Sequence, residues 1–337
     1  MFHIAPWRFS NGWLGVDAFF VISGYVLSRS ILCSARTPNY SLNLLLWKRF
    51  LRIYPTLLVS LWVTLPIIFL VIQSPKVRQY GYLQALASIC FSANISASAL
   101  SPAYFQANLN PYLHLWSISI EIQIYILCLL AISLTRIFFG FIVRHNVMSF
   151  NYLRLPVALF YCFLLLLVFC LNYLLIYFGI SPYYNSGYRT LEFMVGIVGF
   201  QAGLRMSKGS LSLHSNFIRG ICIGALISLI FLSSSGINPI LLSLLTQLCV
   251  LFLLVFEPSP KESSIFFLIT YLNRLIFSIG EISYSWYLLH LPCWYVAQES
   301  KLEYRYTVLL YLCVLYVLSF ILYQFVERRF LSIKVVS

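Results

Sequence analysis

Three side chains able to take part in proton or anion chemistry, His3, Arg8 and Asp17, fall within fifteen residues near the start of the chain. Asp17 is the only aspartate in 337 residues and stands at the mouth of an apolar run, Ala18 to Leu27. A carboxylate beside hydrocarbon is costly, so it must face protein or water, and such residues mark functional sites by default. The plainer alternative is an N-cap opening an apolar helix. Three further acids lie in or at apolar stretches: Glu121, Glu192 and Glu281. Glu192 follows Arg189 by three residues, the spacing of a same-face helical pair. Glu281 adjoins Gly280 and reads as interfacial. Glu121, in LHLWSISIEIQIY, has no basic residue at helical spacing. It needs either a partner from another helix or a proton of its own.

A histidine titrating near neutrality and oriented by a carboxylate is a suitable general base for a hydroxyl. His3 with Asp17 or Glu121 fits that arrangement. His114 and His290 lie at the ends of apolar stretches or inside them and read first as interfacial, while His145 and His214 fall in polar links. The segment WKRFLRIYP carries Lys48, Arg49 and Arg52. Its arginines are three apart, so two forked guanidiniums share a helix face, which suits phosphate. Simple anchoring at a membrane surface is the alternative. No P-loop, dinucleotide glycine fingerprint, HExxH or GxSxG motif is present, so ordinary soluble hydrolase and nucleotide-binding chemistry is not signalled. The nine cysteines form no CxxC pair, and neither a disulfide framework nor a metal site is expected.

The elements that must position these groups are membrane helices. Apolar types make up 61% of the chain and charged types 9%, against roughly 25% charged in a soluble domain. The fold class expected is all-α, a polytopic transmembrane bundle. Apolar stretches near 14–33, 54–72, 113–134, 154–178, 188–204, 217–235, 238–256, 275–298 and 306–326 give nine spans. Segment 82–100 is diluted by Ser, Ala and Asn and reads as re-entrant or interfacial, and 265–272 as a similar partial entry. With the link 34–53 on the cytoplasmic side, fifteen basic residues fall inside and five outside (Arg8, Lys76, Arg78, Lys301 and Arg305), a positive-inside bias. That topology leaves the C-terminus cytoplasmic and Met1 outside, and one more span before Met1 would bring the count to ten. The net charge of +13 is thus read as topology-setting rather than as a nucleic-acid footprint.

Taken in order along nearly the whole chain, these motifs resemble the membrane-bound acyltransferase 3 family, whose members O-acylate sugars of lipopolysaccharide, exopolysaccharide and peptidoglycan. GWLGVDAFFVISGYVL resembles the family block built on Gly-Val-Asp and two phenylalanines. WKRFLRIYPTL is similar to its paired-arginine block, LHLWSISIEIQIY to its His-Trp-Ser-Glu block, SGYRTLEFMVGIVG to its Arg-Glu-Gly helix, and ISYSWYLLHLP to its Ser-Tyr-His-Pro block. Glu327 and Arg328 resemble the family's closing Glu-Arg-Pro, with Arg329 in place of proline.

The resemblance implies an integral, multi-pass protein of the bacterial inner membrane. It implies a single acyltransferase domain over 1–337 without a soluble hydrolase-like extension. The implied donor is acetyl-CoA or another acyl-CoA used from the cytoplasm, with no metal. The implied acceptor is a glycan or lipid-linked glycan in or beside membrane lipid. Carried over residue by residue, His3 would be the base or acyl-relay residue, oriented by Asp17 or Glu121. Arg49 and Arg52 would hold the donor, and Trp116, Ser117 and His290 would bind substrate. The family's first helix normally carries a basic residue eleven positions before the histidine, which has no counterpart here. An inactive relative lacking that helix is therefore one alternative, and a transporter or flippase of a lipid-linked sugar is another.

Overall fold

The computed structural model describes residues 9–34, 42–100, 110–128, 130, 173, 177, 182–206, 215–232, 238–256 and 277–331. Among these, every regular element is helical. In order they are α1 (Leu14–Ser34), α2 (Leu42–Val71), α3 (Pro75–Ile89), α4 (Ala93–Leu100), α5 (Leu113–Cys128), α6 (Ser186–Met206), α7 (Ser215–Phe231), α8 (Pro239–Val255), α9 (Ser283–Gln298) and α10 (Tyr304–Leu322). A π-helical segment, Tyr323–Glu327, and a last turn, Arg328–Leu331, extend α10.

Three helical stretches are long and apolar enough to cross a membrane: Leu14–Cys33, Trp47–Val71 and Tyr304–Phe330. Leu113–Cys128, Phe217–Phe231 and Pro239–Val255 are shorter apolar helices. The protein is an integral membrane protein. The expected span 154–178 and the partial entry 265–272 lie outside the described residues, apart from helical positions at Tyr173 and Tyr177.

Two expectations are refined by the structure. The stretch expected near 54–72 belongs to a helix that begins at Leu42 and runs through both Pro55 and Pro66. Membrane helices tolerate internal proline because neighbouring groups re-satisfy the freed carbonyl. The diluted stretch 82–100 is broken at Cys90–Ser92, where Phe91 has a left-handed φ of 52°. Side chains satisfy the interrupted backbone. Gln84 Nε2 donates to the Ala93 carbonyl at 2.9 Å, Gln123 Nε2 to the Phe91 carbonyl at 2.7 Å, and the Ala93 amide donates to Ser119 Oγ at 3.2 Å.

Helix α1 sits at the centre, packed most extensively on α6 and then on α8. Between membrane helices, small residues that let backbones approach drive association, since lipid is as apolar as leucine. Gly24 and Gly196 supply that approach. A Cβ at Gly24 would strike the Phe193 carbonyl, and one at Gly196 the Val21 carbonyl. On the same helix, a Cβ at Gly199 would meet the Leu251 side chain of α8. The large, fully buried side chains include Phe20 of α1, Phe193 of α6, and Trp116 and Tyr184.

Candidate active site

Asp17 stands in the first turn of α1, one turn past its opening, so it does not cap the helix. It is fully buried and accepts from Arg189 Nη1 of α6 at 2.7 Å. The same nitrogen donates to Glu192 Oε1 at 2.6 Å, one turn along α6. Arg189 Nε donates to the Tyr183 carbonyl at 3.3 Å. The guanidinium lies 4.8 Å from the Tyr183 ring centre and 5.3 Å from that of Trp116. One buried cation thus serves two carboxylates, and aromatic faces wall it from lipid. Ser243 of α8, which accepts from Gln247 Nε2 at 3.0 Å, lies beside the Asp17 carboxylate.

A second set of polar groups runs along α5. His114, Ser117, Glu121 and Tyr125 recur at intervals of three and four residues and so share one face. Antiparallel α9 meets them with His290, Tyr287 and Tyr284. The His114 and His290 rings are 4.5 Å apart edge to face. Ser117 Oγ and Tyr287 Oη are hydrogen-bonded at 2.7 Å, and Tyr287 Oη also donates to the His114 carbonyl at 2.6 Å. Tyr284 lies within electrostatic reach of Glu121 and donates to the Ile53 carbonyl of α2 at 2.8 Å. The result is a polar seam about 16 Å long between two membrane helices, from the rise of 11 residues.

Glu121 closes the inner part of the seam. Its Oε1 accepts from Tyr125 Oη at 2.5 Å and from Ser23 Oγ of α1 at 2.9 Å. The partner from another helix that the sequence demanded is therefore Ser23. Beyond Glu121 stand the two arginines of α2. Arg49 Nη2 donates to Ser30 Oγ at 2.8 Å and to the Val26 carbonyl at 3.3 Å, which ties it to α1. Arg52 is exposed and makes no hydrogen bond or ion pair among the described residues. It lies within electrostatic reach of both Glu121 and Glu327. Glu327 is buried at the end of the π-helical segment and accepts from Ser285 Oγ of α9 at 2.8 Å. The forked donors of a guanidinium suit a carboxylate or phosphate. Among the described residues, no three His, Cys, Asp or Glu side chains converge as a metal site.

The family model described as an acyltransferase domain matches residues 2–324 of this chain. The chain belongs to the acyltransferase 3 family. It is 37% identical over 136 residues to the O-acetyltransferase OatA of Staphylococcus aureus, covering 40% of this chain and 22% of OatA. It is 36% identical over 128 residues to BcsY of Komagataeibacter xylinus, a provisionally named membrane-bound transacylase, covering 37% of this chain and 31% of BcsY. The matched region thus spans under a third of either relative. No solved structure matches the chain.

Within this acyltransferase 3 member, the residues singled out by sequence fall into groups. Trp116 joins the Arg189 cluster with Asp17. Ser117, Glu121 and His290 lie in the α5–α9 seam, and Arg49 and Arg52 stand near its Glu121–Tyr125 end. Asp17 and Glu121 are not neighbours: Ser23, the partner of Glu121, lies six residues beyond Asp17 on α1, about 9 Å along the helix. His3 lies outside the described residues. Sequence reasoning placed Arg189 only beside Glu192 and overlooked Tyr125, Tyr284 and Tyr287. The i,i+4 spacing of Glu121 and Tyr125 was the available signal for the first of these tyrosines.

Proposed function

We propose that this chain is a multi-pass inner-membrane enzyme that moves an acyl group, acetyl in the first instance, from acyl-CoA to a hydroxyl of a cell-surface glycan. The observation that carries the reading is the α5–α9 seam. It joins an arginine that makes no hydrogen bond or ion pair among the described residues at one end to a histidine pair at the other, inside a chain matched over residues 2–324 by the acyltransferase family. The bundle has nine to ten spans, with the C-terminus in the cytoplasm and a single acyltransferase domain. Arg52, with Arg49 beside it, binds the donor phosphates from the cytoplasmic side. His3 takes the proton of the acceptor hydroxyl as its oxygen attacks the acyl carbonyl, and coenzyme A leaves as the thiol. Glu121 orients that chemistry, Asp17 holds α1 to α6 through Arg189, and Trp116, Ser117 and His290 line the acceptor path. The acceptor is a glycan of the lipopolysaccharide or exopolysaccharide class, free or lipid-linked. OatA carries the name of an O-acetyltransferase, which supports acetyl as the group moved.

The test is NMR of surface polysaccharide from cells making this chain, beside His3→Ala and Arg52→Gln. Acetyl signals that vanish with His3→Ala support the enzyme and the base together. Signals that persist move the base elsewhere. Acetyl-CoA is expected to raise the Tm of the purified protein, and less so for Arg52→Gln. An absent shift in the unaltered protein counts against this donor.

A further inference from the structure

A groove of about 530 Å³ runs between α2, α9 and α10, outside the seam and away from the Arg189 cluster. Its wall is hydrocarbon, with Val63, Ile67, Pro292, Val314, Leu318 and Phe325 along it. The hydroxyls at its floor are already committed. Ser60 Oγ donates to the Leu57 carbonyl at 2.8 Å, Thr64 Oγ1 to the Ser60 carbonyl at 2.7 Å, and Tyr112 Oη to Thr64 Oγ1 at 2.9 Å. A lining so largely of hydrocarbon suits an acyl chain better than a sugar, whose hydroxyls would lose water for few partners. The volume lies in the range of roughly 300–1,000 Å³ typical of pockets for one small ligand.

The inner end of the groove is basic. On α2 the stripe Ser60, Thr56, Arg52 continues from the groove toward the cytoplasmic end at four-residue steps. On the last helix Arg328 follows Phe325 by three residues and is exposed, with Nη1 donating to Gln324 Oε1 at 2.9 Å. Exposed Arg329 adjoins it. The outer end is mixed, since Glu299 and Glu303 stand beside Lys301 and Arg305, and Arg305 is paired with Glu303 at 3.1 Å. An apolar slot with a cationic mouth at the inner leaflet matches one amphiphile, a chain with an anionic head.

We infer that the α2–α9–α10 groove seats one hydrocarbon chain of an anionic inner-leaflet phospholipid, with its phosphate at Arg328. The groove lies outside the seam, but its α2 side leads to Arg52 of the proposed donor site, and its place in the inner leaflet rests on the proposed topology; photolabelling needs no acyl donor, so its outcome is separable from that reading.

The probe is phosphatidylglycerol bearing a diazirine on one acyl chain, reconstituted with the full chain in phosphatidylcholine vesicles, irradiated and mapped by peptide mass spectrometry. Labels are expected on groove residues, with Val314 and Leu318 foremost. Unlabelled phosphatidylglycerol should compete and phosphatidylcholine should not. Val314→Trp, at a lipid-facing position that tolerates bulk, should abolish groove labelling. Arg328→Gln should lower it about five-fold, the effect of one basic residue near an anionic head. Labelling spread evenly over other lipid-facing helices such as α8, or competition by phosphatidylcholine, overturns the inference. So does stronger competition by a polyprenyl phosphate, which would assign the groove to a different lipid.

Discussion

His114 and Pro292 act on the same peptide carbonyl. Pro292 has no N–H, so the Leu288 carbonyl four residues earlier in α9 lacks its helical donor. His114 Nε2 donates to it instead, at 3.2 Å. That bond fixes the proton of the neutral ring on Nε2 and turns Nδ1 into the acceptor. Removing His114 alone leaves a buried carbonyl unpaired, at a cost of about 1–3 kcal/mol. In a Pro292→Ala background the restored amide fills that place, so His114→Ala should cost about 1–3 kcal/mol less than in the parent, the packing loss being common to both. Thermal unfolding of the four proteins in detergent completes the cycle, and strictly additive losses would refute the shared carbonyl.

Arg189 is the point where loss should be most damaging. Arg189→Gln leaves Asp17 and Glu192 buried without a counter-ion, and removing one member of a buried ionic set costs about 3–5 kcal/mol. Asp17→Asn should cost less, because Glu192 still pairs. Arg189→Lys should fall between the two, keeping the charge but losing the separate Nε bond to the Tyr183 carbonyl. Comparative Tm and yield of the purified variants check the order, and an Arg189→Gln protein as stable as the parent would rule it out.

Glu121 separates a structural role from a chemical one. In Glu121→Gln the amide oxygen still accepts from Ser23 and Tyr125, so Tm should change little. Turnover should collapse if the carboxylate works in catalysis. Tyr125→Phe removes one of those two donors, at a cost of about 1 kcal/mol in stability. Acetylation by NMR alongside Tm distinguishes the cases. Full turnover in Glu121→Gln removes the residue from the mechanism.

The glycine contact between α1 and α6 carries its own prediction. Gly196→Ala drives a methyl into the Val21 carbonyl and should cost about 1–3 kcal/mol, as overpacking does. Gly220→Ala is the matched control, because a Cβ there meets nothing within 4 Å. Equal Tm values for the two variants would show that the helices can part at no cost.

The helical class and most long apolar stretches were legible because a membrane helix is a local property of composition and length. Arg189 with Glu192 was legible for the same reason, since three residues of spacing fix a shared face. Asp17 with Arg189 was not: the two lie 172 positions apart, and no periodicity connects them. The same holds for Glu121 and Ser23, separated by 98 positions. The apolar stretch near 54–72 was legible, but that its helix begins at Leu42 and passes through Pro55 and Pro66 was not, since proline gives no local sign of being carried by neighbouring helices. The broken segment at Cys90–Ser92 was legible as a weak span, but its repair by Gln84, Ser119 and Gln123 depends on tertiary packing. The two arginines of α2 were legible as a pair. Their division into Arg49 tied to α1 and Arg52 left open was not, because helical spacing treats them alike.

The backbone contact at Gly24 and Gly196 also constrains motion. Two helices that touch carbonyl to α-carbon have no side-chain layer between them to shear. Helices α1 and α6 are thus held together twice, by the glycine contact and by the ion pairs of Arg189 with Asp17 and Glu192. A change in the packing of α1 on α6 would therefore have to break the Asp17–Arg189 pair as well as the glycine contact.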